Sequence, residues 1–363
     1  RDPFVAAATL MRNCAAGRCI RSFAIWTATF ARSAAGKARR SVPRNLGSAT
    51  RMRRSNGFAF AAARISAAIR RAKTVASWRR GVQADLIEER LRADKQHAIK
   101  AVCVVHNETS TGATSDILAV RRAIDAAKHP ALLMVDSISG LACADYRHDE
   151  WGVDVTISGS QKGLMLPPGI SFNALSPKAI EASKTARLPK AFWAWDEIVE
   201  MNQGGYWPYT PNTNLLYGLA EACDMLLATE HGGLAGTFAR HSRWGEGVRT
   251  AVRAWGLDIQ CADPAVYSPV LTGVMMPDGV DADAVRKIVY ERFDCSLGTG
   301  LGQVKGRMFR IGHLGDCNDL TLMAALAGCE MGLKLAGVKL AGSGVQAAMD
   351  HFSAHPAPGP VAG

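Results

Sequence analysis

A chain of 363 residues, 48% of them apolar, is long enough for two hydrophobic cores, and it has no run of about 18 apolar residues that would span a membrane. Its nine cysteines are scattered without a Cys-x-x-Cys pair, which argues against a disulfide framework or zinc knuckle and for a reducing, cytoplasmic setting. The net charge of +11 belongs to one segment: residues 1–78 hold 14 Arg and 2 Lys against the single acid Asp2, so the remainder carries −4 and is not expected to bind nucleic acid.

Residues 1–78 are rich in Arg, Ala and Ser and show irregular apolar periodicity, so they are not expected to fold natively. Three origins are open: a mitochondrial-type presequence, a basic nucleic-acid arm, or out-of-frame translation of a GC-rich gene. The composition favours the last, because GC-rich codons read out of frame yield Arg, Ala, Gly and Ser. From Trp78 onward acids appear and ordinary patterning begins. "ADLIEERLRA" (84–93) suits an amphipathic helix, and "IKAVCVVH" (99–106) a buried parallel strand. "SDILAVRRAIDAAK" (115–128) puts Ile117, Val120, Ile124 and Ala127 on one helical face, with Ser115 as the expected N-cap. "ALLMVD" (131–136) and "DVTISGS" (154–160) read as further strands. This order implies βαβ units and a mostly parallel sheet in a large domain over 79–240.

A small C-terminal α/β domain is expected over 241–345. Its strand is "YSPVLTGVMMP" (267–277), and its helices are "DADAVRKIVYERF" (281–293) and "LTLMAALAGCEMGLKLAG" (320–337). Residues 346–363, ending in "HPAPGPVAG", read as a flexible tail.

In open parallel sheets ligands bind beyond the carboxyl ends of the strands. Three of the predicted strands end in polar residues, at "HNETSTG" (106–112), at Asp136, and at Ser160-Gln161-Lys162, so an acid and a lysine are expected to face one crevice. A partly desolvated lysine is an amine nucleophile toward aldehydes. A carboxylate beside it suits the pyridine nitrogen of pyridoxal phosphate, and nearby hydroxyl and amide groups suit its phosphate. Taken singly, Asp136 could be a helix cap and Lys162 a solvated loop residue; only their placement together points to a cofactor.

Over residues 78–345 the chain resembles the class V, fold-type I aminotransferases, and within them the serine–glyoxylate enzymes. The stretches that carry the resemblance are "HNETSTG", "LLMVDSISG", "DEWGVDVTISGSQKGLMLPPG", "YWPYTPNTNLLYGL" and "FRIGHLGDCNDL". The resemblance implies pyridoxal 5'-phosphate as cofactor, with Lys162 as its Schiff-base lysine and Asp136 against the pyridine nitrogen. Thr109 would meet the phenolic oxygen, and Gln161 and Ser160 the phosphate. Tyr209 and Thr210 would reach the phosphate of a second subunit in a homodimer. Arg310 would hold the substrate α-carboxylate, for which a planar guanidinium fork is suited. The implied reaction moves an amino group from serine, or alanine, to glyoxylate, giving glycine and, from serine, hydroxypyruvate. The family's Gly-Thr-Gly phosphate cradle and ring-stacking aromatic are missing from 1–78. That part of the large domain therefore reads as missing or garbled, and the chain as one that binds cofactor weakly and shows little activity.

Other signals carry less. "GTGLG" (298–302) lacks the preceding strand and downstream acid of a dinucleotide site and reads as a small-domain loop. Cys295 raises a cysteine-desulfurase alternative, but "FDCSLG" reads better as a packed thiol. A non-catalytic remnant with a basic arm is the alternative from another class. His106 could touch the site or be structural, and His313 reads as structural. "DGVDADAVR" (278–286) is a helix start rather than a calcium loop, and no motif suggests a metal.

Overall fold

The computed structural model describes strand β1 (Phe23–Thr27) and residues 78–228 and 232–357; all other parts of 1–78, with the sequence readings made for them, lie outside the described residues. The large domain holds α1 (Ala84–Ala93), β2 (Ala101–Val105), a hairpin of β3 (Asn107–Glu108) and β4 (Ala113–Thr114), α2 (Ile117–Ala126), β5 (Leu132–Asp136), β6 (Val155–Gly159) and β7 (Ile170–Leu175). Its outer helices are α3 (Pro177–Lys184), α4 (Trp195–Gln203) and α5 (Thr213–Leu227). The sheet runs β1-β7-β6-β5-β2, with β2, β5 and β6 parallel and β7 antiparallel to both neighbours. A strand at 23–27 is not what the composition of that segment leads one to expect.

The sheet forms where the sequence has short apolar runs. Leu133 and Val135 of β5 and Val102 and Val104 of β2 bury one face against Ile117, Val120 and Ile124 of α2 and Leu219 and Leu226 of α5. Asp136, following Met134 in the two-residue strand repeat, is left at the open carboxyl end. Helix α2 is capped by Asp116, whose side chain accepts from Ala119 N at 2.8 Å. Ser115 is therefore not the cap; its Oγ accepts from Val82 N at 3.3 Å and ties down the entry to α1.

Helix α6 (Gly233–Ala254) leads from the large domain into the second core. The small sheet is β10 (Gly298–Thr299), β11 (Met308–Gly312), β9 (Leu271–Met275) and β8 (Asp258–Ile259) in spatial order, all pairs antiparallel. Helices α7 (Ala282–Phe293), α8 (Asp319–Leu335) and α9 (Gly344–Ala354) pack with α6 around Phe309, Ile311, Val285, Val289, Leu326 and Leu333. Helix α9 corrects the expected tail. Residues through 354 are helical, and Ala348 and Phe352, four apart, are buried in this core. The proline-rich composition belongs only to residues beyond the end of α9. No helix among the described residues is long and apolar enough to cross a membrane.

Candidate active site

Parallel pairing aligns the carboxyl ends of β2, β5 and β6. Val105 is the Cα partner of Asp136, and Asp136 of Ile157. His106 N donates to Asp136 O at 2.9 Å, and Ser137 N to Ile157 O at 2.9 Å, so three loops leave the sheet side by side. The Asp136 side chain is exposed at the strand end and accepts from Ile138 N at 2.9 Å. The surrounding protein still raises its pKa by desolvation; Ile138 opposes this and the nearby Glu108 carboxylate adds to it.

The lysine loop is closed by Ser160. Its N–H donates to Ile170 O at 3.1 Å, its carbonyl accepts from Leu166 N at 3.1 Å, and its hydroxyl donates to Pro167 O at 2.8 Å and accepts from Ile170 N at 3.3 Å. Both hydroxyl bonds go to loop backbone in a wholly buried position, so Ser160 shapes the loop. Gly163 lets the returning chain lie on residues 141–143: a Cβ there would collide with the Leu141 carbonyl oxygen and stand 2.6 Å from Cys143 Sγ. Small residues surround Lys162 because the loop must turn back tightly against its neighbour. Lys162 itself stays half-buried, next to the exposed Gln161.

The third component comes from β11. Arg310 Nε donates to Thr299 O at 2.8 Å, and Nη1 donates to Thr109 O at 2.5 Å in the β3–β4 turn. Burial lowers the Arg310 pKa, as does Arg286, while Glu108 opposes them. Glu108 is a site residue that sequence reasoning misses. Its Oε1 accepts from Ser110 N at 2.7 Å and Ser110 Oγ at 2.6 Å, and its charge is felt at both Asp136 and Arg310. The available signal is an acid within the polar stretch "HNETSTG". The small domain clamps this turn further, through Ser268 N donating to Gly112 O at 2.9 Å.

His106 lies buried beneath the crevice, its ring 5.1 Å from Tyr146 and 6.2 Å from Trp151. Its Nδ1 has no hydrogen-bond partner, and burial lowers its pKa to about 4, so it is neutral. His313 is fully buried, at hydrogen-bond distance from Thr272 Oγ1 (3.0 Å) and Pro269 O (3.0 Å), and is structural. Tyr209 and Thr210 are exposed ahead of α5, with the Tyr209 ring 4.7 Å from that of Phe192. No hydrogen bond joins them to Lys162, Asp136 or Arg310 among the described residues. Cys295 packs against the small-domain core, and burial raises its thiol pKa, the opposite of what a reactive thiolate needs. Among the described residues no three His, Cys, Asp or Glu gather as for a metal.

The donor set suits pyridoxal phosphate at two of its handles. A carboxylate at one strand end matches a pyridine nitrogen, and a primary amine at the next matches an aldehyde carbon. Gln161 is the polar group left for the phosphate at this loop, and residues 1–77, where the family's glycine-rich turn would belong, lie outside the described residues apart from β1.

The family model for aminotransferase class-V matches residues 58–236, beginning twenty residues ahead of Trp78, where the resemblance in sequence starts. An L-aspartate–glyoxylate aminotransferase of Paracoccus denitrificans is 49% identical over 280 residues, covering 76% of this chain and 69% of that protein. A serine–glyoxylate aminotransferase of Hyphomicrobium methylovorum is 47% identical over 279 residues, covering 76% and 68%. Among solved structures, pyridoxamine–pyruvate aminotransferase from Mesorhizobium loti aligns with a TM-score of 0.69 at 27% identity, over 76% of this chain and 70% of that one.

Proposed function

The chain belongs to the class V aminotransferases, which work with pyridoxal phosphate, and from that premise we propose that it moves the amino group of serine to glyoxylate in a reducing, cytoplasmic setting. The observation that supports the site assignment is the side-by-side alignment of the carboxyl ends of β2, β5 and β6, which carry the Thr109 turn, Asp136 and the Lys162 loop, together with the Arg310–Thr109 contact. The two relatives' names share glyoxylate and differ in the donor, and this supports glyoxylate as acceptor.

Pyridoxal phosphate, when bound, supplies an aldehyde carbon for the amino group and a ring that withdraws electrons from the Cα–H bond. Asp136 would hold a proton on the ring nitrogen. Desolvation raises its pKa, which makes the carboxylate a stronger acceptor for that proton. Lys162 Nζ would take the Cα proton and return it, as general base and then acid. Arg310 would bind the α-carboxylate, the Thr109 hydroxyl would meet the phenolic oxygen, and Gln161 the phosphate. Exposed Tyr209 and Thr210 suit contacts to a second copy in a homodimer.

Glu108 favours serine over a dicarboxylate donor. Its charge, felt at Arg310, opposes a second carboxylate in the crevice but accepts a hydroxyl. The test is steady-state turnover with glyoxylate and serine, alanine or aspartate in turn. Serine should give the highest kcat/KM. Preference for aspartate or alanine would overturn the donor, and turnover of serine with another 2-oxo acid but not with glyoxylate would overturn the acceptor.

A further inference from the structure

The stretch Gly298-Thr299-Gly300, which in sequence reads as a loop without function, lies against Arg310. Gly298 and Arg310 are Cα partners between β10 and β11. A Cβ on Gly298 would stand 3.1 Å from Arg310 Cβ and 3.2 Å from its Nε, so the arginine side chain crosses bare backbone. The Arg310 Nε–H donates to the Thr299 carbonyl at 2.8 Å. Thr299 is fixed in turn: its Oγ1 donates to Asp283 Oδ1 at 2.9 Å, and the same oxygen accepts from Arg286 Nη1 at 2.8 Å. Arg286 is anchored by its Nε, which donates to Leu297 O at 2.9 Å. The Thr299 hydroxyl, and next Arg286, hold the Asp283 carboxyl below its ordinary range, as expected of an ionised acceptor at this junction.

We propose that Gly298, Thr299 and Asp283 are positioning residues that fix the edge on which Arg310 receives a substrate carboxylate. The inference rests on the reading of Arg310 as the carboxylate-binding residue. A guanidinium has two edges that can bind a carboxylate with two hydrogen bonds: Nε with one terminal nitrogen, or the two terminal nitrogens together. The Thr299 carbonyl occupies Nε and closes the first edge. The Thr109 carbonyl takes one N–H of Nη1 and leaves the other, with both on Nη2. With Nε taken, the carboxylate is left the terminal nitrogens, Nη2 and the free N–H of Nη1. Amino donor and oxo acceptor both carry an α-carboxylate, so both use this seat and both present their reacting carbon to Lys162 from the same direction. A shift of a few tenths of an ångström at the guanidinium would misplace both.

The test compares Gly298→Ala, Thr299→Val and Thr299→Ser in the full-length holoenzyme. Gly298→Ala pushes directly on the guanidinium; Thr299→Val keeps the carbonyl but removes the hydroxyl held by Asp283. Loss of one hydrogen bond's worth of positioning should raise KM for donor and acceptor together by about 3- to 10-fold. Calorimetric binding of glyoxylate should weaken by the same factor. Turnover of a primary amine that lacks a carboxylate should not change, and Thr299→Ser should restore the parent KM. Unchanged KM and glyoxylate affinity in both Gly298→Ala and Thr299→Val, or equal impairment of the carboxylate-free amine, would overturn the proposal. Arg310→Ala run alongside separates the two readings. If it leaves carboxylate substrates unaffected, Arg310 itself is misread. If it impairs them while the seat variants do not, the seat alone is wrong.

Discussion

Arg310 Nη1 donates to the carbonyl of Thr109 at 2.5 Å, joining residues 201 positions apart. One belongs to the small-domain strand β11, the other to the β3–β4 turn. The contact links the group proposed to hold substrate to the turn proposed to meet the cofactor. Because Glu108 precedes Thr109 and its charge acts on both Asp136 and Arg310, one short hairpin contributes to the charge of the crevice and, through Thr109, to its geometry. A β-hairpin clamped by two domains moves less than a free loop, which suits a site that must orient a Cα–H bond.

Replacing Arg310 with Ala should lower kcat/KM for every α-carboxylate substrate. A charged hydrogen-bonded contact contributes roughly 1.5–3 kcal/mol. That corresponds to about 10- to 150-fold, at about 1.4 kcal/mol per decade. Steady-state kinetics with donor and acceptor varied separately checks this, and an effect on one substrate alone would count against the shared role.

Lys162→Ala should abolish transamination while leaving the fold intact. The residue sits half-buried at the end of β6, in a loop whose closure depends on Ser160 and Gly163 rather than on the lysine. Circular dichroism should be unchanged and the absorbance of bound cofactor altered. Retention of more than a few per cent of activity would remove Lys162 from its assigned place.

The parallel core was legible in the sequence. "AVCVV", "LLMVD" and "VTISG" are short apolar runs, and helical spacing marked Ile117, Val120 and Ile124, because burial imposes those periods. Asp136 and Lys162 could be placed at strand ends for the same reason. What a polar side chain binds in a folded loop is not periodic. The hydroxyl of Ser160 turned inward to Pro167, the cap fell on Asp116 instead of Ser115, and the Gly298–Arg310 contact joins positions distant in sequence. Helix α9 was hidden by the Pro/Gly texture just after it, although Ala348 and Phe352 carry helical spacing.

Asp136→Asn should leave the fold unchanged and slow the chemistry. A neutral amide cannot hold a proton on a pyridine nitrogen, so the electron demand on Cα falls. The side chain is exposed and its backbone partner, Ile138 N, can still donate to an amide oxygen, so stability should shift by no more than about 0.5 kcal/mol. Exchange of the Cα proton of serine into deuterated water measures the chemistry directly, and an unchanged exchange rate would remove Asp136 as the ring-nitrogen partner.

Gly163→Ala tests the loop rather than the chemistry. The added methyl would meet a backbone carbonyl, that of Leu141, which cannot swing aside as a side chain can. Overpacking of this kind costs about 1–3 kcal/mol. Thermal denaturation should show the loss, and activity should fall with it because Lys162 is the adjacent residue. A variant as stable as the parent would mean that the loop has room this packing does not allow.

Acid should destabilise the fold in a window set by buried histidines. Desolvation lowers His106, His148 and His241 from the ordinary 6.5 to about 4 each. The folded-state pKa lies below the unfolded one, so the unfolded chain binds protons first as pH falls. The stabilising contribution of the neutral rings is complete above pH 6.5 and is lost progressively toward pH 4. Each such site contributes a slope of about 1.4 kcal/mol per pH unit within that window. Glu330 acts lower down. It accepts from Trp255 Nε1 at 3.0 Å, Val345 N at 3.0 Å and Lys334 Nζ at 2.8 Å, and these bonds outweigh desolvation to bring it to about 2 from 4.5. Its contribution is intact above pH 4.5 and is lost only below. Midpoints of urea unfolding measured from pH 8 to pH 4 should therefore be flat above 6.5 and fall steeply beneath it, well before the carboxylates titrate. Replacing His148, whose Nδ1 lies 2.7 Å from Thr156 Oγ1, with Asn should make that fall shallower while lowering the plateau. A profile that stays level to pH 4.5 would show that these rings are not held neutral in the folded chain.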